Sequence, residues 1–199
     1  MRTGLKVTLI IGGGLFVISL IAGFYAYAII DLNAEITDSD RAMLFTPEEL
    51  QDYFEDYTPL DEEIVLKKMV YFPGIWDIEL NYDPEADDQP FLSYKISTSM
   101  SIAQARYNAL LEVKAIELGI KLAADNTVFE DLEFDQSSYP NARLKLFTVD
   151  GEPYGNLFYT TIGRHSIILF LTSFYFDDGE VFAEMINPTL EAVSSNNKK

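Results

Sequence analysis

The first thirty residues constrain this chain more than any other part of it. Residues 7–30 are a run of 24 residues without a single Asp, Glu, Lys or Arg. A helix of that length would extend about 36 Å at about 1.5 Å per residue, which exceeds the hydrocarbon thickness of a bilayer, about 30 Å. The sequence therefore predicts one N-terminal transmembrane helix within residues 1–30.

The flanking charges predict how this helix is oriented. Arg2 and Lys6 precede the apolar run, whereas Asp31 follows it and the next basic residue is Arg41. Because positive flanks stay on the cytoplasmic side, we expect a single-pass protein of the cytoplasmic membrane with a periplasmic, or otherwise extracytoplasmic, C-terminal domain. The alternative is a signal peptide cleaved after Ala28, since Ala26-Tyr27-Ala28 fits the small-x-small pattern. Retention is favoured because the apolar run continues beyond that site.

The apolar segment also predicts a contact with another membrane helix. Small residues recur at four-residue spacing, and small side chains let two helix backbones approach closely in lipid. The predicted helix–helix interface consists of Ser19, Ala22, Gly23 and Ala26. We therefore expect a protein partner that has a transmembrane helix of its own.

The remainder of the chain is strongly acidic. The sequence has 32 acidic and 14 basic residues and a net charge of −18, which argues against nucleic acid and anionic headgroups as partners and favours a cationic one. Residues 31–62 are expected to form an acidic juxtamembrane stalk with a short helix that begins at Thr46 and ends near Tyr57. Its apolar face is expected to pack on the domain, the alternative being that the helix docks on a partner. The acidic face of that helix is predicted to be a contact surface and consists of Glu48, Asp52, Glu55 and Asp56.

Residues 63–195 are predicted to form one α+β domain, an antiparallel sheet with helices packed on it, followed by a polar tail over residues 196–199. The alternation of apolar and polar residues over 76–82 and 92–98 predicts two strands with one buried face. Further strands are expected over 64–71, 128–134, 143–149, 154–162 and 165–176, with a hairpin turn at Asp150-Gly151.

Two helices complete the predicted domain. Ser101 and Gln104 form a capping-box pattern, and the helix that they open is expected to end at Gly119. Its apolar face is predicted to consist of Ile102, Ala105, Ala109, Leu110, Val113 and Ile116. A terminal helix is expected over residues 180–194, kinked or split at Pro188 because proline cannot donate a backbone hydrogen bond.

The order of these elements resembles the PsbP/DcrB-like α/β/α-sandwich superfamily. The resemblance rests on that order and on Pro73 and Trp76 before the first strands, Ser101 at the start of the long helix and an apolar strand over 169–176. The resemblance covers residues 63–195. It implies a non-enzymatic accessory, assembly or chaperone-like role beyond a membrane. The chain departs from these relatives in its uncleaved N-terminal helix.

The sequence offers little chemistry. It has no cysteine, so disulfides, thiol catalysis and thiolate metal sites are excluded, and its one histidine, His165, has no evident catalytic partners. The acidic loops over 83–88 and 177–180 lack the spacing of a calcium-binding EF-hand. We therefore expect no enzyme activity, no cofactor and no metal.

Two functions remain from the sequence, with an enzyme as the least favoured third. The first is an accessory or assembly subunit of a membrane protein complex. The alternative is an anchored or secreted binding module, such as an immunity-type inhibitor of a cationic partner, whose acidic surface would be the active part.

Overall fold

The described residues form one antiparallel sheet of seven strands in the order β1-β2-β3-β7-β6-β5-β4. This computed structural model describes residues 30–45, 47–54, 64–82, 91–134 and 138–197. The strands are β1 (Ile64–Phe72), β2 (Ile75–Tyr82), β3 (Phe91–Thr98), β4 (Val128–Leu132), β5 (Arg143–Val149), β6 (Glu152–Ile162) and β7 (His165–Thr172). The α+β fold predicted from the sequence is thus confirmed for the sheet and its helices.

Turn chemistry fixes the hairpins of the sheet. Asp150 and Gly151 link β5 to β6, and both have positive φ angles, 54° and 87°. A two-residue turn with two positive φ angles matches the right-handed twist of the strands that it joins, which is why Asp-Gly is favoured there. The predicted turn at Asp150-Gly151 is confirmed.

The helices are α1 (Asp38–Arg41), a 3₁₀ helix (Pro47–Asp52), α2 (Ile102–Ala123) and α3 (Gly179–Asn196). The predicted end of the short helix near Tyr57 is wrong, because the structure has a single 3₁₀ segment that ends at Asp52. The predicted stop of α2 at Gly119 is also wrong. The helix continues to Ala123 and is followed by Asn126 in the left-handed region, with a φ of 56°.

Pro188 neither splits nor ends α3, which runs through it as one helix of 18 residues. Proline removes one backbone hydrogen bond, but its ring lies on the exposed face of the helix. The opposite face buries Phe182, Ile186, Leu190 and Val193 in the core. Packing of that apolar face stabilises the helix more than one missing hydrogen bond destabilises it.

The sheet has a helical layer on each face. Helix α2 lies on one face, where Val113 packs against Leu157 and Ile168. Helix α3 lies on the other, where the larger core is found, with Leu80, Tyr94, Phe158 and Leu169 among its buried members. The sheet is therefore the middle layer between helices.

Residues 31–45 and 47–54, within the predicted stalk, pack on the domain. Backbone hydrogen bonds join Asp31 to Val70, at the outer edge of β1, with N–O distances of 2.8 and 2.7 Å. Beyond that bridge, apolar side chains from this segment are buried beneath the sheet: Met43, Leu44, Phe45 and Leu50. The rings of Tyr53 and Phe54 pack edge-to-face against the ring of Phe176. The apolar residues that look patchy in the sequence thus complete the α3 side of the core.

The last strand ends at Thr172, four residues before its predicted end. Ser173 has a φ of 67°, which turns the chain out of the sheet. The buried Asn156 amide then binds the backbone of Phe176, accepting its N–H at 2.7 Å and donating to its carbonyl at 3.0 Å. Phe174 and Phe176 are still buried, but as part of the loop that leads to α3.

The predicted anchor lies outside the described residues except for Ile30. Within the part of the chain that the structure describes, no helix is long and apolar enough to cross a membrane.

Candidate functional site

Helix α2 is held against the sheet by its smallest residues. The Ser101 hydroxyl caps the helix by accepting the Gln104 N–H at 3.2 Å, as the sequence predicts. The apolar positions that face inward are Ala105, Ala109 and Val113, each at most 2% exposed. Alanine allows a helix to approach a sheet closely, so the larger residues of α2 are directed elsewhere.

The two acidic residues of α2 are both engaged by lysines. Glu117 is buried and accepts hydrogen bonds at 2.6 Å from Lys145 of β5 and from Lys114 of its own helix. Burial alone would raise the pKa of Glu117, but the two lysines outweigh it and hold the pKa below its usual value. Glu112 in turn binds Lys95 of β3 at 2.8 Å. These ion pairs hold α2 against the sheet.

The outward face of α2 is apolar. Tyr107, Leu111, Leu118 and Leu122 follow one another at intervals of four, seven and four residues, which places them along one side of the helix. Their exposed fractions are 66%, 59%, 59% and 79%. Leu110, half exposed, lies beside them, and Ile102 at the start of the helix is also half exposed, so the predicted inward position is wrong for both residues. We call Tyr107, Leu111, Leu118 and Leu122 the apolar stripe.

The charged residues around the apolar stripe are basic. Arg106, Lys114 and Lys121 are exposed on α2, whereas its carboxylates point toward the sheet, with only 10% of the Glu117 side chain exposed. Lys114 shares Glu117 with Lys145, and Lys121 lies 5.5 Å from the centre of the Phe129 ring. The chain has a net charge of −18, so an apolar face accompanied by basic residues differs in the sign of its charge from the rest of the protein.

A cleft opens between the first half of α2 and strands β1–β3. It has a volume of about 510 Å³, with Phe72, Ile75, Met100 and Leu111 on its apolar side. Its polar groups satisfy one another, because Lys95 lies 4.0 Å from Asp77 in addition to Glu112, and the Tyr71 hydroxyl donates to Asp77 at 3.2 Å. Burial would lower the pKa of Lys95, but these carboxylates raise it. The charged groups of the cleft are thus paired with one another, with two carboxylates sharing one lysine.

The predicted site residues are placed only in part. The helix–helix residues Ser19, Ala22, Gly23 and Ala26 lie outside the described residues, as do Glu55 and Asp56. Glu48 lies in the 3₁₀ helix, but its side chain is outside the described part. Asp52 is exposed at the end of that helix. The structure therefore neither assembles nor excludes these two predicted surfaces.

The acidic residues after β7 do come together with others. Asp177, Asp178 and Glu180 line a wide open groove with Asp131 and Glu133. Asp178 has a structural role, since its carboxylate accepts the Glu180 N–H at 2.7 Å and caps α3. Among the described side chains, no group of three or more His, Asp or Glu residues is arranged to hold a metal ion. The other acidic loop, over 83–88, is outside the described residues.

His165 is buried at the start of β7. Its Nδ1 lies 2.9 Å from the Thr98 hydroxyl, and its ring centre lies 5.4 Å from that of Trp76. Burial lowers the pKa of His165, and the positive charge of Arg164 adds to that effect. The residue is thus a neutral packing partner between β3 and β7.

The apolar stripe is the candidate binding surface that the sequence reasoning missed. Apolar residues occur on every side of α2, so periodicity alone selected the face with Leu110 and left Leu111, Leu118 and Leu122 unused. Comparison of the chain with protein-family models, with curated proteins and with solved structures finds no match.

Proposed function

We propose that this protein is a non-catalytic, single-pass membrane protein that acts as an accessory or assembly subunit, and that its domain docks on a protein partner through the apolar stripe of α2. One observation carries this proposal: four large apolar side chains, more than half exposed, lie along one side of a helix whose inner face is already packed, with Lys114 and Ala115 between Leu111 and Leu118. Exposed apolar patches of this kind mark interaction surfaces.

The chemistry of the stripe indicates what the partner presents. An amphipathic helix docks its apolar face into a groove, and the charges at the rim set orientation and specificity. Since Arg106 and Lys121 flank the stripe and Lys114 lies between Leu111 and Leu118, the partner presents an apolar groove with acidic residues that face these bases. A second copy of α2 would bring like charges together and is therefore disfavoured.

The tether is the second part of the proposal. Residues 7–30 anchor the chain, with Ser19, Ala22, Gly23 and Ala26 against a helix of the same partner and the domain on the extracytoplasmic side. The charge pattern of the N-terminal flank supports this orientation. The helix–sheet–helix layering is what the resemblance to the PsbP/DcrB-like superfamily leads one to expect, and it supports a binding role.

The alternative is an immunity-type inhibitor that binds a cationic partner through its acidic surface. The groove lined by Asp131, Glu133 and Asp177 favours this function, because its five carboxylates lie together on a surface opposite in sign to the rim of the stripe. The two functions predict different binding surfaces on the same domain.

The deciding experiment is purification of the full chain from native membranes in mild detergent. The wild-type chain is compared with the double variant Leu111→Glu/Leu118→Glu, which places two charges in the stripe. We expect one stoichiometric membrane partner with the wild type and a loss of at least about tenfold in the variant, since central apolar contacts dominate interface energies.

The matched control is Val128→Glu/Val181→Glu, which adds the same charges at two exposed valines away from the stripe. This control should keep the partner. A partner that is retained by the stripe variant, or a wild-type chain that purifies alone, would contradict the proposed function. Loss of the partner only when the acidic groove is neutralised, by Asp131→Asn/Asp177→Asn, would favour the inhibitor.

A further inference from the structure

One end of the sheet gathers the turns nearest to the predicted anchor. Asp31 is bonded to Val70, and the strand register continues from Val70 to Trp76, from Thr98 to His165 and from His165 to Ile162. This row runs across β1, β2, β3, β7 and β6. Three turns lie beyond it on the same side, over residues 71–75, 99–102 and 163–164. We call these residues the anchor-side end.

The anchor-side end is apolar. Phe72, Met100 and Ile102 are 46%, 66% and 51% exposed, and Ile30, at 39%, directly precedes the Asp31 that is bonded to β1. Phe72, Ile75 and Met100 border the same cleft, which shows that the first two turns converge. The third turn is joined to the second, because the Ser99 N–H donates to the Arg164 carbonyl at 2.9 Å.

The charge of this end is also distinct. Within residues 71–75, 99–102 and 163–164 the one charged side chain is Arg164, whereas the exposed Asp31 lies at the edge of the row beside β1. Aromatic and aliphatic side chains accompanied by a basic residue are the composition of surfaces that rest in the headgroup region of a bilayer.

We infer that the anchor-side end lies against the outer leaflet of the membrane, with Phe72, Met100 and Ile102 in the headgroup region. The inference rests on the proposed function, because residues 7–30 must be the anchor. The occupant is the lipid surface because the apolar segment ends at Ile30, one residue before the bridge to Val70. Because the connection is so short, the domain must lie close to the bilayer surface.

This placement also orients the apolar stripe. Helix α2 begins at Ile102, on the anchor-side end, and returns along the sheet to the opposite end, where β4 starts at Val128. Its 22 residues extend about 33 Å. With the anchor-side end on the membrane, the stripe extends from the bilayer surface outward. It is then exposed laterally, toward a neighbouring membrane protein.

The absence of cysteine permits a direct test by site-directed spin labelling. Single substitutions Met100→Cys and Ile102→Cys place a nitroxide on the anchor-side end of the full-length chain, and Leu122→Cys and Val128→Cys place it at the opposite end. All four positions are at least half exposed, so labelling leaves the core intact. Each variant is reconstituted in vesicles of phosphatidylcholine and phosphatidylglycerol, and relaxation by oxygen is compared with relaxation by a water-soluble nickel chelate.

We expect labels at 100 and 102 to be relaxed several-fold more by oxygen than by the chelate, relative to labels at 122 and 128, because oxygen concentrates in lipid. If the chain floats with the vesicles but labels at all four sites are relaxed by oxygen and by the chelate as in water, the inference is overturned and the anchor is not. A chain that does not float would overturn both proposals. Labels at 100 and 102 that are shielded from both reagents would indicate contact between two copies and would also overturn the inference.

Discussion

Thr160 carries a buried hydroxyl that the fold leaves without a partner. The residue is fully buried in β6, and within the described residues its Oγ1 is the buried side-chain polar atom without a hydrogen bond. Burying an unpaired hydroxyl costs free energy, whereas an apolar group of the same shape at that position does not. We expect Thr160→Val to raise the free energy of unfolding by about 1 kcal/mol, measured by urea denaturation.

Thr98 provides the matched control for this prediction, because it is similarly buried but its hydroxyl lies 2.9 Å from His165 Nδ1. Thr98→Val should lower the free energy of unfolding by about 1 kcal/mol. Equal destabilisation by the two substitutions would show that the Thr160 hydroxyl has a partner after all. Neither role can be read from the sequence, where both residues look like ordinary strand threonines.

At the scale of elements, the ion pair of Glu117 predicts how α2 responds to acid. The pKa of Glu117 is lowered in the folded protein, so the folded state favours its charged form relative to the unfolded chain. Its contribution to stability is complete above the unfolded pKa of about 4.5 and is lost as the pH falls through the folded pKa. We expect Glu117→Gln to destabilise the domain by about 2 kcal/mol at neutral pH.

The measurement is the free energy of unfolding of both proteins between neutral pH and pH 3. The difference between wild type and variant should shrink as the pH falls, because Glu117 then becomes protonated in the wild type as well. Glu130→Gln, at an exposed position of β4, should leave the curve unchanged. A difference that stays constant down to low pH would mean that Glu117 acts through packing and not through its charge.

The elements themselves were largely predictable, because alternation over 76–82 and the Asp150-Gly151 turn act within a few residues of the chain. Their ends were not. Gly119 and Pro188 both favour a helix end locally, yet both helices continue. Helix α3 buries residues on both sides of Pro188, whereas α2 extends past Gly119 to Ala123 with Ile120 as the one half-buried residue of that last turn. Which face of α2 is buried depends on which side chains fit closely against β6 and β7. The small side chains of Ala105 and Ala109 fit there, and Leu110 does not. The apolar stripe follows from that choice, so sequence periodicity could not single it out.

At the scale of the whole molecule, the described residues between 30 and 54 contribute to the core of the domain. Met43, Leu44, Phe45 and Leu50 are buried, and each such side chain contributes about 1.5–3 kcal/mol. Together they match a large part of the stability of a typical domain, about 5–15 kcal/mol. We expect a chain of residues 30–199 to unfold cooperatively on heating, as followed by circular dichroism.

A chain of residues 64–199 should lose that cooperativity and bind a hydrophobic dye, because Phe174 and Phe176 would lose the cover of the N-terminal segment. Leu50→Ala in the 30–199 chain provides a graded intermediate, with an expected loss of about 2–4 kcal/mol. If the 64–199 chain were as stable as the longer one, residues 31–54 would be the stalk that their acidic composition suggests. The apolar stripe on α2 would then still mark a binding surface, but the domain would be separated from the membrane and the anchor-side end would have no lipid to contact.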